Sequence, residues 1–152
     1  MPPRREPFRQ AGQTYFLTFV TADRQWFFRN ERWAILLLNQ MERHRAEFDL
    51  HDFVIMPDHV YLLLSPHVAL ERVVQLMKGG FSFNAKRAFE WKGDIWQPGF
   101  SDHRIRDHDD YLTHVAYIRK NAASLGEGKR RFDGASCTLE LAPEPQGLKP
   151  LG

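Results

Sequence analysis

The sequence has very little cysteine and no long apolar run. Its one cysteine, Cys137, cannot form an intramolecular disulfide, which excludes a disulfide framework and a cysteine-rich zinc site. A lone thiol fits a reducing compartment, so we expect a cytoplasmic protein. No stretch approaches the roughly 20 apolar residues needed to span a bilayer. Residues 1–10 contain arginines with no apolar region after them, so we expect no secretory signal.

An excess of charge is also nearly absent. The 21 lysine and arginine residues face 19 aspartate and glutamate residues, and the net charge of +2 does not by itself indicate a nucleic-acid partner. A length of 152 residues with 43% hydrophobic residues is typical of one globular domain with a sizeable core. Only three of the nine prolines lie between residues 8 and 142. We therefore expect a flexible basic arm over 1–12, a folded domain over 13–132 and a flexible proline-rich tail over 133–152.

The middle of the chain shows the hydrophobic periodicities of alternating strands and helices. Strand patterns fall at 14–21, 52–56, 59–65 and around 98–99, and helical patterns fall at 31–48, 70–88 and 107–126. Pro57 and Asp58 join two of the strands as a tight hairpin, and Gly79 with Gly80 should weaken or bend the second helix. The order strand, helix, strand, strand, helix, strand, helix predicts an α+β fold, a ferredoxin-like antiparallel sheet packed with helices.

Two groups of polar side chains interrupt these apolar elements. His59 and Tyr61 project from the same face of a strand, because side chains alternate along it. On the last helix, the spacing of His114, Tyr117 and Asn121 places them along one face. Taken alone, each group also fits a simpler interpretation: a half-buried histidine bonded to backbone, and a tyrosine that packs with its hydroxyl at the surface.

Four segments taken together are more specific than any one of them. In chain order they are 54–66 (VIMPDHVYLLLSP), 76–88 (LMKGGFSFNAKRA), 95–111 (IWQPGFSDHRIRDHDDY) and 117–126 (YIRKNAASLG). This set resembles the single-tyrosine HUH transposases, in particular the IS200-like branch called REP-associated tyrosine transposases. The resemblance runs from about residue 15 to about residue 126. It implies a ferredoxin-like domain with a C-terminal helix that carries the catalytic tyrosine, and a protein that binds single-stranded DNA beside a hairpin.

The resemblance also implies the chemistry. Tyr117 corresponds to the nucleophile that attacks a phosphodiester, which leaves a 5′-phosphotyrosine and a free 3′-hydroxyl. His59 and Asn121 correspond to ligands of a divalent metal, Mg²⁺ or Mn²⁺, that polarises the scissile phosphate. Tyr61 stands where the family motif has its second histidine, and a neutral phenol is a much poorer ligand than an imidazole.

Three interpretations of this replacement stay open. Metal binds weakly through His59, Asn121 and the substrate phosphate; His114 substitutes for the missing histidine; or nicking is lost while DNA binding persists. The first two describe a single-strand DNA endonuclease and transposase, and the third describes a catalytically impaired relative that binds hairpin nucleic acid without nicking it. A ferredoxin-like domain with unrelated partners is a further interpretation. A monomer and a homodimer are both compatible with the sequence.

Local charge indicates where DNA could bind. Residues 72–106 carry seven lysines and arginines against three acidic residues, interleaved with aromatic side chains, as single-strand recognition requires. The alternative is that the aromatic residues belong to the core and the charges to a solvated face. The predicted DNA-binding residues are basic side chains of this segment, of the N-terminus and of the last helix: Lys78, Lys86, Arg87, Arg104, Arg106, Arg4, Arg5, Arg119 and Lys120.

Overall fold

Alternating burial along the strands builds an antiparallel sheet. In the computed structural model, which describes residues 13–125 and 131–133, the first strand buries Tyr15, Leu17 and Phe19 in the main core and turns Phe16 and Thr18 to the other face. The strands are β1 (Tyr15–Val20), β2 (Phe48–Ile55), β3 (His59–Pro66), β4 (Ser101–Arg104) and β5 (Arg131–Asp133). Their order in the sheet is β4-β1-β3-β2-β5. The first four strands have the ferredoxin-like order, which confirms the predicted α+β fold class.

The helices lie on both faces of the sheet. They are α1 (Glu31–Arg43), α2 (Leu70–Val74), α3 (Gly80–Phe89) and α4 (His108–Ser124). Asn30 caps α1 by accepting from the Arg32 N–H at 2.8 Å, and Asp107 caps α4 by accepting from the Asp110 N–H at 2.8 Å. The first three helices enclose the main core, whereas α4 packs on the opposite face. The sheet therefore separates two layers of helices.

The two adjacent glycines widen a helix without breaking it. One π-helical turn, Gln75–Gly79, joins α2 to α3, and Gly79 and Gly80 keep helical φ angles of −66° and −63°. A Cβ atom on Gly80 would lie 2.0 Å from Gln40 Nε2, an amide that donates to the Leu76 main-chain oxygen at 2.8 Å. The weak point expected from the sequence is therefore a place where the backbone of α3 closely approaches α1.

Most aromatic residues of the basic segment 72–106 belong to the core. Phe81 and Trp96 are buried, and Trp91 and Phe100 are partly buried against the same cluster. Phe83 differs because it is 61% exposed, with the guanidinium of the neighbouring Arg87 5.4 Å from its ring centroid. Of these five rings, Phe83 is therefore the exposed one.

Three strands differ from their predicted positions. β2 begins at Phe48, within the segment predicted as helix, because α1 ends at Arg43 and a short 3₁₀ turn, Arg45–Glu47, follows it. β4 follows the Pro98-Gly99 turn instead of containing it, and β5 was not predicted. Domain bounds at 12 and 132 stay a prediction. Among the described residues, no helix is long and apolar enough to cross a membrane.

Candidate active site

The helix α4 lies on the sheet face toward which His59 and Tyr61 project. Ile118 and Ala122 anchor it, because both are buried against apolar side chains of β2 and β3. The adjacent residue Tyr117 is left 44% exposed at the edge of this contact. Packing of two apolar side chains one helical turn apart therefore presents the tyrosine beside β3.

Tyr61 and Tyr117 form a direct contact. Their hydroxyl oxygens are 3.2 Å apart, within hydrogen-bond distance, and their ring centroids are 5.2 Å apart. Burial of the Tyr61 phenol, together with its hydrogen bond to Tyr117, raises the pKa of Tyr61 well above its usual value. Tyr61 is therefore a neutral phenol that exchanges a hydrogen bond with its neighbour, which makes it a poor metal ligand.

A carboxylate orients the ring of His59. Asp58 Oδ1 lies 2.7 Å from His59 Nδ1, and Asp58 Oδ2 accepts from Arg24 Nε at 2.8 Å. Burial acts to raise the pKa of Asp58, but the hydrogen bonds from His59 and Arg24 outweigh it and hold that pKa below its usual value. An ionised carboxylate on one ring nitrogen fixes the tautomer and leaves the lone pair of the other nitrogen, Nε2, available to a metal ion.

Asn121 offers a second candidate ligand atom for a metal, one helical turn from Tyr117. Its Nδ2 donates to the Tyr117 main-chain oxygen at 2.9 Å, which leaves the amide oxygen as the group available to a ligand. His59 Nε2 and Asn121 Oδ1 are nitrogen and oxygen donors of the kind that fit Mg²⁺ or Mn²⁺. The resemblance implies three metal ligands from the protein. Only two are present here, because Tyr61 stands where the family motif has its second histidine.

His114, the candidate substitute ligand, points elsewhere. Its Nδ1 lies 2.8 Å from the Asp110 main-chain oxygen, and its ring stacks on His103 with centroids 4.7 Å apart. The Phe16 ring contacts both Tyr61 and His114, at centroid distances of 5.3 and 4.7 Å. Phe16 thus lies between His114 and the tyrosine pair, and the structure does not bring His114 to the His59 donor set.

Several polar residues of this sheet face were not predicted from the sequence. Asp58 contacts the ring of His59 and accepts a hydrogen bond from Arg24, and Asp110 accepts one from His103 at 2.8 Å. The i, i+4 spacing of Asp110 and His114 on a helix was a readable signal for part of this second cluster. The contact of Arg24 with Asp58 could not be predicted in this way, because it depends on a turn in which Arg24 has a φ of 54°.

Lys78 has structural partners. Its ammonium donates to the main-chain oxygens of Gln97, at 3.0 Å, and of Gly99. The same nitrogen lies 5.6 Å and 5.9 Å from the ring centroids of Phe19 and Trp96, and burial lowers its pKa. Lys78 therefore ties the turn before β4 to the core, and its contact with DNA stays a prediction.

The other basic residues divide between the two layers. Lys86 and Arg87 are exposed on α3, on the far side of the sheet from Tyr117. Arg104 pairs with Tyr15 across β1 and β4, so it projects toward that same far side. The basic residues exposed on the layer of α4 are Arg106, Arg119 and Lys120, whereas Arg4 and Arg5 lie outside the described residues.

Comparisons with known proteins identify the family to which this chain is similar. The family described as "Transposase IS200 like" matches residues 10–121. A REP-associated tyrosine transposase of Escherichia coli (strain K12) is 30% identical over 146 residues, which cover 83% of this chain and 82% of that protein. A Haemophilus influenzae protein provisionally named in the same way is 28% identical over 137 residues, which cover 80% of this chain and 76% of that protein.

Among solved structures, one of the REP-associated tyrosine transposase bound to a REP hairpin superposes with a TM-score of 0.66. It is 24% identical and covers 83% of this chain and 74% of that chain, so it supports the fold. The chain therefore belongs to the IS200-like transposase family and, within it, to the REP-associated tyrosine transposases. The resemblance read from the sequence is confirmed.

Proposed function

We propose that this protein cleaves one DNA strand beside a hairpin through attack of Tyr117 on a phosphodiester, and rejoins strands by the reverse reaction. The observation that carries the proposal is the position of the Tyr117 hydroxyl. It is at the surface, 3.2 Å from the Tyr61 hydroxyl, on the sheet face that also bears the carboxylate-held His59. An exposed nucleophile beside oriented polar groups is what phosphoryl transfer requires.

The proposed step exchanges one phosphoester for another. Tyr117 Oη forms a bond to phosphorus and the bond from phosphorus to the 3′ oxygen breaks, which leaves a 5′-phosphotyrosine and a 3′-hydroxyl. The Tyr117 phenol loses its proton to water, and the leaving 3′ oxygen gains one. The neutral phenol of Tyr61 donates a hydrogen bond to Tyr117 Oη as negative charge develops there.

His59 and Asn121 are the residues that would hold Mg²⁺ or Mn²⁺, which polarises the scissile phosphate and stabilises the leaving oxygen when bound. The contact between His59 and Asp58 at 2.7 Å fits this role, because metal-binding histidines donate their other ring nitrogen to a carboxylate. Two uncharged donors form a weak site, so phosphate oxygens of the DNA complete it in this proposal.

The proposed DNA surface is the layer that carries Tyr117. Arg106, Arg119 and Lys120 are exposed there and would neutralise phosphates on both sides of the nucleophile. The hairpin as substrate is carried over from the structural relative, which was solved with a REP hairpin. DNA contacts of Lys86 and Arg87 stay a prediction. They require the same DNA to reach α3, on the other face of the sheet.

A second candidate function is hairpin binding without cleavage. The neutral phenol of Tyr61 favours it, because that side chain replaces a metal ligand. The two candidates share the DNA surface and differ in the covalent intermediate.

A denaturing-gel assay for a covalent protein–DNA adduct distinguishes them. Single-stranded oligonucleotides that contain the hairpins flanking the protein's own gene are incubated with the protein and Mn²⁺, with a chelator as the metal-free control. The variants are Tyr117→Phe and, as a matched control on the same helix, Tyr111→Phe. Native gels of the same samples measure binding.

The nicking proposal predicts a shifted band for wild type and Tyr111→Phe, and none for Tyr117→Phe or with the chelator. Retained binding with no adduct in wild type would support the binding-only function. An adduct that persists in Tyr117→Phe would refute Tyr117 as the nucleophile.

A further inference from the structure

A second group of potential metal ligands lies where β4 meets the first turns of α4. His103 from the strand and Asp110 and His114 from the helix each present one ligand atom, and these atoms lie within 4.8 Å of one another. Asp110 lies between the two histidines: Oδ2 is 2.8 Å from His103 Nε2, and Oδ1 is 3.2 Å from His114 Nδ1, which also lies 2.8 Å from the Asp110 main-chain oxygen. Two imidazoles thus converge on the two oxygens of one carboxylate.

The charge and burial of this group suit a cation. A hydrogen bond from the Arg106 main-chain N–H at 3.0 Å, followed by the one from His103, holds the pKa of Asp110 below its usual value. The side chains of Asp110 and His114 are 15% and 19% exposed. His103 is 37% exposed, so its ring has room to rotate and aim a nitrogen lone pair at an ion.

This group is separate from the His59 position. Phe16 pairs with His103 on one side and with Leu63 on the other, and His59 precedes Leu63 by four residues on β3. Two strand spacings across the sheet and four residues along it place the Cα atoms of His103 and His59 about 16 Å apart. At that separation, two histidine side chains that project from the same sheet face cannot bind one ion.

We propose that His103, Asp110 and His114 bind a divalent transition-metal ion, for which Zn²⁺ is the best fit, at a site distinct from that of His59. Two imidazole nitrogens and one carboxylate oxygen are ligands that Zn²⁺ prefers, whereas Mg²⁺ and Ca²⁺ prefer oxygen donors. Three protein ligands leave one position of a tetrahedral ion for water.

Such an ion would tie the edge strand β4 to α4. His114 lies three residues before Tyr117, about one helical turn, so the ion would fix the part of α4 that leads into the nucleophile. The site does not depend on the nicking proposal, since its ligands do not include His59, Tyr61 or Asn121. A bound ion would stabilise the position of α4. The affinity of the protein for the metal measures the site directly.

The test is a titration of the full-length, chelator-stripped protein with Zn²⁺ in competition with a chromogenic chelator. The variants are His103→Gln and His114→Asn, because the glutamine amide nitrogen takes the place of His103 Nε2 and the asparagine amide nitrogen that of His114 Nδ1, so both can still donate to Asp110. His108→Asn, at an exposed histidine of the same helix, is the matched control, and His59→Asn reports on the other site.

We expect one Zn²⁺ equivalent that His108→Asn and His59→Asn retain. Its affinity should fall at least about 100-fold in His103→Gln and in His114→Asn, since loss of even a supporting partner costs 10- to 100-fold. The proposal is overturned if wild type binds no such equivalent, if His103→Gln and His114→Asn bind as wild type does, or if His59→Asn abolishes the same equivalent.

Nuclear magnetic resonance of the histidine rings tests the proposal without any substitution. Addition of Zn²⁺ to the wild-type protein should shift the ring signals of His103 and His114 and leave those of His108 in place. Unshifted signals of His103 and His114 at saturating Zn²⁺ would overturn the proposal, even where a variant fails to fold.

Discussion

Substitution of Tyr61 by histidine should create the metal ligand that this chain lacks. The new imidazole would stand two residues from His59 on the same face of β3, where it joins His59 Nε2 and Asn121 Oδ1. We predict that Tyr61→His increases the affinity for Mn²⁺ by about 10- to 100-fold, which corresponds to about 1.4–2.7 kcal/mol. The reason is that burial raises the pKa of Tyr61, so the wild-type side chain is a neutral phenol.

The same substitution removes contacts of Tyr61 that stabilise the fold. Its hydroxyl contact with Tyr117, 3.2 Å long and partly exposed, is worth about 0.5–1 kcal/mol. Its stacking on Phe16, with centroids 5.3 Å apart, is worth about 0.5–1.5 kcal/mol, part of which the imidazole ring retains. These losses lower the free energy of unfolding of the metal-free protein and leave the gain in Mn²⁺ affinity intact, because they concern other partners.

The electron paramagnetic resonance signal of free Mn²⁺, followed during a titration, measures this affinity directly. Tyr61→Phe is the matched control, since it removes the hydroxyl without adding a donor and should bind Mn²⁺ as wild type does. Equal affinities of Tyr61→His and Tyr61→Phe would refute the assignment of this position as the missing ligand. A loss of affinity in Tyr61→Phe would show instead that the phenol itself binds the metal.

Three further predictions follow from single contacts. Asp58→Asn should lower Mn²⁺ affinity about 10- to 100-fold in the same titration, because the carboxylate that orients His59, the proposed ligand, is lost; wild-type affinity would contradict this. Burial lowers the pKa of His51 below 6.5, so its neutral form is favoured in the folded state and the free energy of unfolding should decrease as pH falls below that value. Urea unfolding between about pH 7 and 5 should show a weaker pH dependence in His51→Asn, and an unchanged one would contradict the assignment. Gly80→Ala should destabilise by about 1–3 kcal/mol because its Cβ would lie 2.0 Å from Gln40 Nε2, and the buried Gln40 amide can move away only by giving up its hydrogen bonds to the Leu76 main-chain oxygen and to Asn84. Gly79→Ala, whose Cβ would meet nothing within 4 Å, should instead stabilise by about 0.5–1 kcal/mol, and equal effects in urea unfolding would contradict both.

Local periodicity was enough to predict most of the fold. The apolar hairpin around Pro57 was predicted at 52–56 and 59–65, and the structure has Phe48–Ile55 and His59–Pro66. The first half of β2 was missed because its sequence, FDLH, continues the apolar spacing of the preceding helix. Strand β5 was missed because its partner, β2, is distant in sequence and gives it no local signal.

Part of the candidate site was likewise predictable from local sequence spacing. Strand alternation placed His59 and Tyr61 on one face, and helical spacing placed Tyr117 and Asn121 together. The contact between the hydroxyls of Tyr61 and Tyr117 depends on how α4 packs on the sheet, which local spacing does not determine.

Local charge did not predict where in the fold each basic residue lies. Lys78 carries the cation expected for DNA, but its ammonium reaches main-chain oxygens of Gln97 and Gly99, about twenty residues away along the chain. Similarly, Lys86 and Arg87 lie on the layer of helices that faces away from Tyr117. A local count of basic residues does not reveal which layer each one occupies, because that depends on the face of the sheet against which each helix packs.

The most direct test of the central claim is to locate the covalent link to DNA. The adduct formed with a hairpin-containing oligonucleotide and Mn²⁺ is digested with nuclease and protease, and mass spectrometry identifies the peptide that carries the remaining nucleotide. The account predicts a 5′-phosphate ester on Tyr117. A nucleotide found on Tyr61, the hydroxyl 3.2 Å away, or on any other residue would contradict it.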